Sequence, residues 1–249
     1  MIATDERRLY VTWRHPTGSI LPIGLLVRRA TDHEPSYRFS YLKMAEQQED
    51  FTPLPGLPDL HRSYESDNLF PVFANRQMPR ERPDYDVFVQ QLGLDREADP
   101  FEVLARSEGW RATDRVEVFP EPVRDENGRL TTLFFARGVR HIDGASEAIE
   151  GLHVGERLAL EPQPTNRYNA RALLINTQTG GTAGYLPDYL VDTVHELWQL
   201  SVGEVEITAE HINPPRSAPH MRLLCRLAAP WPEGYQPLSG PEFQPLAAG

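Results

Sequence analysis

Ala172-Leu173-Leu174-Ile175-Asn176, then Gly180-Gly181, then Thr182-Ala183-Gly184-Tyr185-Leu186 are two short apolar runs around a glycine pair, and they decide how the second half of the chain reads. Paired glycines supply the positive φ that a tight antiparallel connection needs, so the stretch predicts a hairpin. Working outward, Glu156-Arg157-Leu158-Ala159-Leu160 reads as a strand ended by Pro162 and Pro164, and Leu130 to Val139 as a longer one. Ala145 to Leu152 is a short helix or turn, and Tyr189 to Trp198 carries apolar residues at helical spacing. Val202 to Ile212 and Met221 to Leu227 are strands flanking a proline turn, and the tail from Trp231 is irregular. Many short strands with few helices predict a twisted β-barrel with short helices packed on it.

The first half mixes strands and helices. Leu9 to Trp13, Ile20 to Val27 and Tyr37 to Tyr41 read as strands, and the turn His15-Pro16-Thr17-Gly18 joins the first two. Proline-rich Phe51 to Leu60 cannot form a regular element. Helices are predicted from near Pro83 to Gly93 and from Pro100 to near Gly109, and Val116 to Pro120 is a strand. Glu121 to Arg129 is polar and turn-rich, which marks a boundary. The fold class expected is α+β, mostly β: an N-terminal α+β domain over residues 1–122, then a small OB/SH3-like β-barrel with short helices over 130–249.

Composition excludes several functions. With 40% apolar and 24% charged residues among 249, the chain has a globular make-up, and it contains no apolar run near the roughly 20 residues of a membrane helix. The N-terminus MIATDERRLY lacks the apolar stretch of a signal peptide. The single cysteine, Cys225, excludes an intrachain disulfide and any CxxC site, which makes a reducing cytoplasm the simplest home. It lies in the apolar run Leu223-Leu224-Cys225 and reads as a buried small residue rather than a nucleophile. A net charge of -11 argues against a protein that coats duplex nucleic acid, but leaves room for a small pocket that grips one end. Lys43 is the only lysine and reads as a surface residue; there is no Walker A loop and no kinase-type VAIK strand. None of the eight histidines lies in an HExxH or H-x-H arrangement, and His195-Glu196 reads as a helix surface. Glu81, Asp84 and Asp86 crowd a helix start, where carboxylates complement the dipole. No catalytic residue, metal site or cofactor is expected.

Four blocks of the second half occur in order: Ala136-Arg137-Gly138-Val139-Arg140-His141, Gly155-Glu156-Arg157-Leu158-Ala159-Leu160-Glu161-Pro162, Asn166-Arg167-Tyr168-Asn169-Ala170-Arg171-Ala172-Leu173 and Gly184-Tyr185-Leu186-Pro187. Over roughly Leu130 to Trp198 they resemble the HIRAN domain. The resemblance implies an OB-like barrel that captures the 3′ end of single-stranded DNA. In the first half, Ile23-Gly24-Leu25-Leu26, Tyr37 to Tyr41, Phe51-Thr52-Pro53-Leu54 and Leu69-Phe70-Pro71 resemble the N-terminal subdomain of HipA-type proteins, without the kinase core that follows it there. That implies an interaction module with no kinase activity.

The residues the HIRAN resemblance assigns to nucleic acid are Arg140, His141, Asn166, Tyr168, Asn169 and Tyr185. Tyr168 can stack on a base, worth about 1–3 kcal/mol. Asn166 can donate to a phosphate or pair with a base edge. Asn169 stands where many HIRAN domains have an aspartate accepting from the terminal 3′-hydroxyl, and its uncharged amide accepts less strongly. Arg140 can fork onto a phosphate, His141 can stack or hydrogen-bond, and Tyr185 forms part of the same wall. On the residues alone a second reading stays open: Asn and Tyr beside prolines make Asx turns with a core-anchored ring. Arg137 and Arg140, three apart on a strand, would face opposite sides, and Arg140 is the one chosen for the pocket. Arg167 and Arg171 would add a diffuse positive field.

Two functions follow from these readings. In the first, the barrel holds a single-stranded DNA end and the N-terminal domain docks a protein partner (a helicase, a nuclease or a HipA-like kinase), in DNA repair or defence. In the second, both domains are interaction modules of a toxin–antitoxin-like or regulatory complex that does not bind DNA.

Overall fold

The computed structural model describes residues 6–16, 18–30, 35–200 and 203–247. Its strands are β1 (Glu6–Arg14), β2 (Ile20–Arg29), β3 (Ser36–Tyr41), β4 (Tyr64–Ser66), β5 (Val116–Pro120), β6 (Val123–Arg124), β7 (Arg129–Phe135), β8 (Arg157–Pro162), β9 (Leu173–Asn176), β10 (Thr182–Tyr185), β11 (Glu206–Ile212) and β12 (Leu223–Pro230). The helices are α1 (Lys43–Glu46), α2 (Pro71–Ala74), α3 (Tyr85–Gln91), α4 (Pro100–Ser107), α5 (Ala145–Glu150) and α6 (Asp188–Gln199). The strands form two antiparallel sheets, so the chain is α+β and mostly β. The residues divide into two compact units. One comprises the chain up to Tyr85, Glu97–Glu121 and the tail from Gln236; the other comprises Asp86–Arg96 and Pro122–Tyr235.

The first unit is built on a sheet of order β4-β3-β2-β1-β5. Its interior strand β1, between β2 and β5, buries five consecutive residues, Leu9 to Trp13, because both of its faces are covered. Leu9, Val11 and Trp13 join Phe39, Tyr41, Phe73 and Phe101 in one core. On the opposite face Tyr10 stacks on Phe119 at 5.6 Å and meets Phe243 of the tail edge-on at 5.1 Å. The irregular tail is thus fixed, and Leu246 N–H donates to Tyr41 O at 2.8 Å. Helix α4 starts where Asp99 accepts from Phe101 N–H at 2.7 Å, with Pro100 at the first helical position. The segment Phe51 to Leu60 is irregular, as its prolines demand. The Tyr41 hydroxyl fixes its path, accepting from Leu54 N–H at 2.6 Å and donating to Leu57 O at 2.8 Å.

The second unit is a sheet of order β10-β9-β8-β11-β12-β7-β6 that closes on itself. Just beyond β7, Arg137 N–H donates to Tyr185 O at 2.9 Å and Tyr185 N–H to Arg137 O at 2.8 Å, joining β10 back to the chain leaving β7. Six strands therefore form a barrel, and β6 lies outside it on the start of β7. Closure removes sheet edges that would otherwise carry unpaired backbone groups. The interior is packed by Phe134, Leu158, Ile175, Leu223 and Leu227, with Ile149 of α5 and Leu190, Val194 and Leu197 of α6 on the same core. Spacings of three and four put the α6 residues on one face. Each such fully buried side chain contributes about 1.5–3 kcal/mol.

Two glycines permit the closure. Gly184 has φ +149, and a Cβ there would lie 2.8 Å from Arg137 O. Gly138 has φ +71, and a Cβ there would lie 3.1 Å from the Tyr185 ring.

Several expected boundaries move. The strand read from Leu130 to Val139 ends at Phe135, because closure turns the chain at Gly138 into a short 3₁₀ turn, Val139–His141. Arg137 and Arg140 are therefore not on one regular strand, and the alternation that set them on opposite faces does not apply. Strand β8 continues through Pro162 rather than stopping before it. Met221 belongs to a 3₁₀ turn, and β12 starts at Leu223. Val202, the expected start of a strand, lies outside the described residues, and β11 begins at Glu206. The polar segment 121–129 contains the two-residue strand β6.

Candidate nucleic-acid interface

Pairing across the barrel puts four residues in one row. Leu174 of β9 is opposite Glu161 of β8 and Tyr185 of β10, and Tyr185 is opposite Arg137. Residues directly opposite share a face. Leu173 and Ile175 point into the core, so Leu174 points out, and the row Glu161-Leu174-Tyr185-Arg137 faces outward. The Tyr185 ring covers Gly138. The chain then enters the 3₁₀ turn, which exposes Arg140 and His141. Arg140 Nε–H donates to His141 Nε2 at 2.9 Å, which fixes the guanidinium plane and leaves both terminal nitrogens unspent.

The other residues lie in the loop 163–172 between β8 and β9, at the same end of β10. Leu186 N–H donates to Leu173 O at 2.9 Å where the loop rejoins the sheet. Asn166 Oδ1 accepts from the backbone N–H of Tyr168 at 2.9 Å and of Asn169 at 3.2 Å. Asn169 Oδ1 accepts from Arg171 N–H at 2.9 Å, and its Nδ2 donates to Asp188 Oδ1 at 3.0 Å. Both carboxamides thus build the loop, as the Asx-turn reading held, and their acceptor oxygens are largely committed. The core-anchored ring of that reading is overturned: Tyr168 is 89% exposed, with Arg167 over its ring at 5.6 Å from the centroid. Such an arginine contact orients the ring without covering its other face.

Electrostatics separates the arginines. Arg157, Arg171, Arg222 and Arg226 each have a carboxylate within ion-pair distance, Glu204, Asp192, Glu150 and Glu210 respectively. Arg140 and Arg167 have none among the described residues. Arg171, expected to add a diffuse field, is neutralised by Asp192. One participant was not among the residues singled out: Asp188, brought to Asn169 by the start of α6. Arg167, expected to add only a diffuse field, has a freedom from carboxylates that only the fold reveals, and Arg137, set aside in favour of Arg140, is placed in the row by closure.

Elsewhere, Lys43 is exposed on α1 and bonds Gln244. His195 sits on α6 with Nε2 at 3.0 Å from Arg171 O. Cys225 is fully buried, and burial pushes its thiol well above the ordinary range. Among the described residues no group of three His, Cys, Asp or Glu side chains is placed to hold a metal, and no helix is long and apolar enough to cross a membrane.

The second unit is thus a closed small barrel that carries an exposed aromatic ring and two arginines without carboxylate partners among the described residues. Residues 130–231 match the model of the HIRAN domain, a family of nucleic-acid-binding domains. Among solved structures the chain is similar to a structural-genomics protein from Lactobacillus plantarum at 17% identity, over 41% of this chain and 97% of that one, with a TM-score of 0.34. It is also similar to the HIRAN domain of human HLTF at 16% identity, over 42% of this chain and 81% of that one, with a TM-score of 0.32. Neither likeness is close enough to carry an argument about residues. No curated protein matches the chain. The family match starts at residue 130 and gives no support to the HipA likeness of the N-terminal unit.

Proposed function

We propose that the barrel holds the end of a single DNA strand, and that the protein is a binding rather than a catalytic component of DNA repair or defence in the cytoplasm. The observation that supports this best is the position of Arg140 and Arg167, which have no carboxylate partner among the described residues. Six arginines of the unit are paired with carboxylates, while these two flank an exposed tyrosine and the Tyr185 wall. In this reading Tyr168 stacks on the terminal base and the two guanidinium groups take phosphates. Asn166 shapes the loop through its Asx turn, and His141 orients Arg140. The 3′-hydroxyl donates to Asp188, whose carboxylate bonds Asn169 and supplies the charge that the amide lacks. The N-terminal unit docks a protein partner, such as a helicase, a nuclease or a HipA-like kinase.

Fluorescence anisotropy with labelled (dT)10 carrying a 3′-hydroxyl or a 3′-phosphate tests the reading. The hydroxyl strand should bind more tightly, and Tyr168→Ala should weaken it by about 5- to 150-fold, the equivalent of about 1–3 kcal/mol. Tyr168 is exposed, so its loss leaves the fold intact. Absence of binding at low salt, where phosphate contacts are strongest, would favour the second function, an interaction module without DNA binding.

A further inference from the structure

The first unit contains an open groove of about 820 Å³ between the proline-rich segment, the start of α2 and the loop entering β5. Its floor is apolar and includes Trp13, Phe51, Leu54 and Phe70. Trp13 meets Phe51 edge-on at 5.6 Å, and Phe51 meets Tyr41 edge-on at 6.0 Å. Trp13 and Phe70 are 9% and 8% exposed. Rings locked this way offer little open face for a base to stack on, but they make good walls for an aliphatic or aromatic side chain.

The charge at the groove is unusual for this chain. Of the thirteen arginines in the unit, ten have a carboxylate oxygen within 4.0 Å. Arg62 instead lies over the Tyr64 ring. Arg111 and Arg115, which have no carboxylate partner among the described residues, are both exposed and both line the groove. Beneath them Arg76, 4% exposed, bonds Asp114 at 2.6 Å and the carbonyls of Gly109 and Val116 at 2.9 and 3.0 Å, while its buried Nε has no partner. In a chain of net charge -11, a unit that pairs ten of its thirteen arginines leaves two of the other three where an apolar groove opens. Carboxylates flanking an apolar side chain are the complement of that surface. Asp50, on the same groove, opposes a continuous phosphate backbone more than a peptide whose charges are spaced.

We infer that this groove docks an acidic peptide segment of a protein partner, with one apolar side chain in the groove and flanking aspartates or glutamates on Arg111 and Arg115. The inference rests on the partner-docking half of the reading above and not on strand capture.

The test is selection of a displayed library of random dodecapeptides on the full chain, followed by anisotropy with a synthetic peptide from the enriched set. Enriched sequences should carry Asp or Glu near Leu, Phe or Trp. The double change Arg111→Glu, Arg115→Glu should weaken the synthetic peptide by about tenfold or more. Both side chains are exposed and unpaired, so the fold should survive, which thermal denaturation checks. No enrichment, an enriched set without acids, or binding indifferent to the charge reversal overturns the inference. So does (dT)12 binding that the reversal abolishes and Arg140→Ala does not, since the groove would then be a nucleic-acid site. Strand binding lost in Arg140→Ala but kept in the double variant bears on the barrel alone, so the two readings fail separately.

Discussion

Replacing Gly184 with alanine should open the barrel. The residue sits at φ +149, a conformation that strains an L side chain by about 1–3 kcal/mol. The added Cβ would lie 2.8 Å from Arg137 O, the acceptor of one closing hydrogen bond. Relief by strand separation forfeits that bond and its reciprocal, each worth about 1 kcal/mol net. The sum is about 3–5 kcal/mol, a large share of the roughly 5–15 kcal/mol that holds a domain together. Gly144→Ala is the control, because Gly144 has φ +76 and open space around it, so it carries strain without collision. Urea unfolding gives the stabilities, and hydrogen exchange at the Arg137 and Tyr185 amides reports closure itself. Gly184→Ala should unprotect both amides and weaken strand binding, because Tyr185 and the Arg140 turn lose their common anchor. A cost no greater than that of Gly144→Ala, with both amides still protected, would refute the reasoning.

Other outcomes follow from particular contacts. Burial pushes the Tyr41 hydroxyl up to about 12, against the lowering by its bond from Leu54 N–H. A folded value above the ordinary 10 means that its stabilisation is present below pH 10 and is lost as pH rises from 10 to about 12. Tyr41→Phe should cost about 1–3 kcal/mol by stranding Leu54 N–H and Leu57 O, and should flatten that alkaline loss in pH-dependent melts. Cys225, buried with its thiol raised, should resist Ellman's reagent in the native protein and react only at the rate of unfolding; immediate reaction would contradict its place in the core. Titration of strand binding with salt should show a slope that becomes shallower by about 0.7 for each phosphate contact removed, in Arg140→Ala and again in Arg167→Ala. The same change at Arg171, already paired with Asp192, should leave the slope nearly unaltered.

What the sequence disclosed and what it hid divide along physical lines. Strands β1 to β3, β9 and β10 and helix α6 were legible, because their apolar spacing and turn residues are local signals. The end of β7 was not: Leu130 to Val139 has uniform strand character, and only the distant Tyr185 decides where the chain leaves β12 and turns. The Asn166 loop could be read two ways, since Asn bonds its own backbone as readily as a ligand. The structure assigns the amides to the turn and leaves the Tyr168 ring in the open. Which arginines carry unspent charge is a property of pairings between residues far apart in the chain, such as Arg157 with Glu204, and no spacing rule reveals it.

Photocrosslinking probes strand capture most directly. A (dT)9 strand ending in 5-iododeoxyuridine at its free 3′ end, irradiated with the full chain and digested with trypsin, should mark the peptide Tyr168-Asn169-Ala170-Arg171 that cleavage after Arg167 and Arg171 releases. A crosslink confined to residues of the N-terminal unit, or none at saturating strand, would contradict the account.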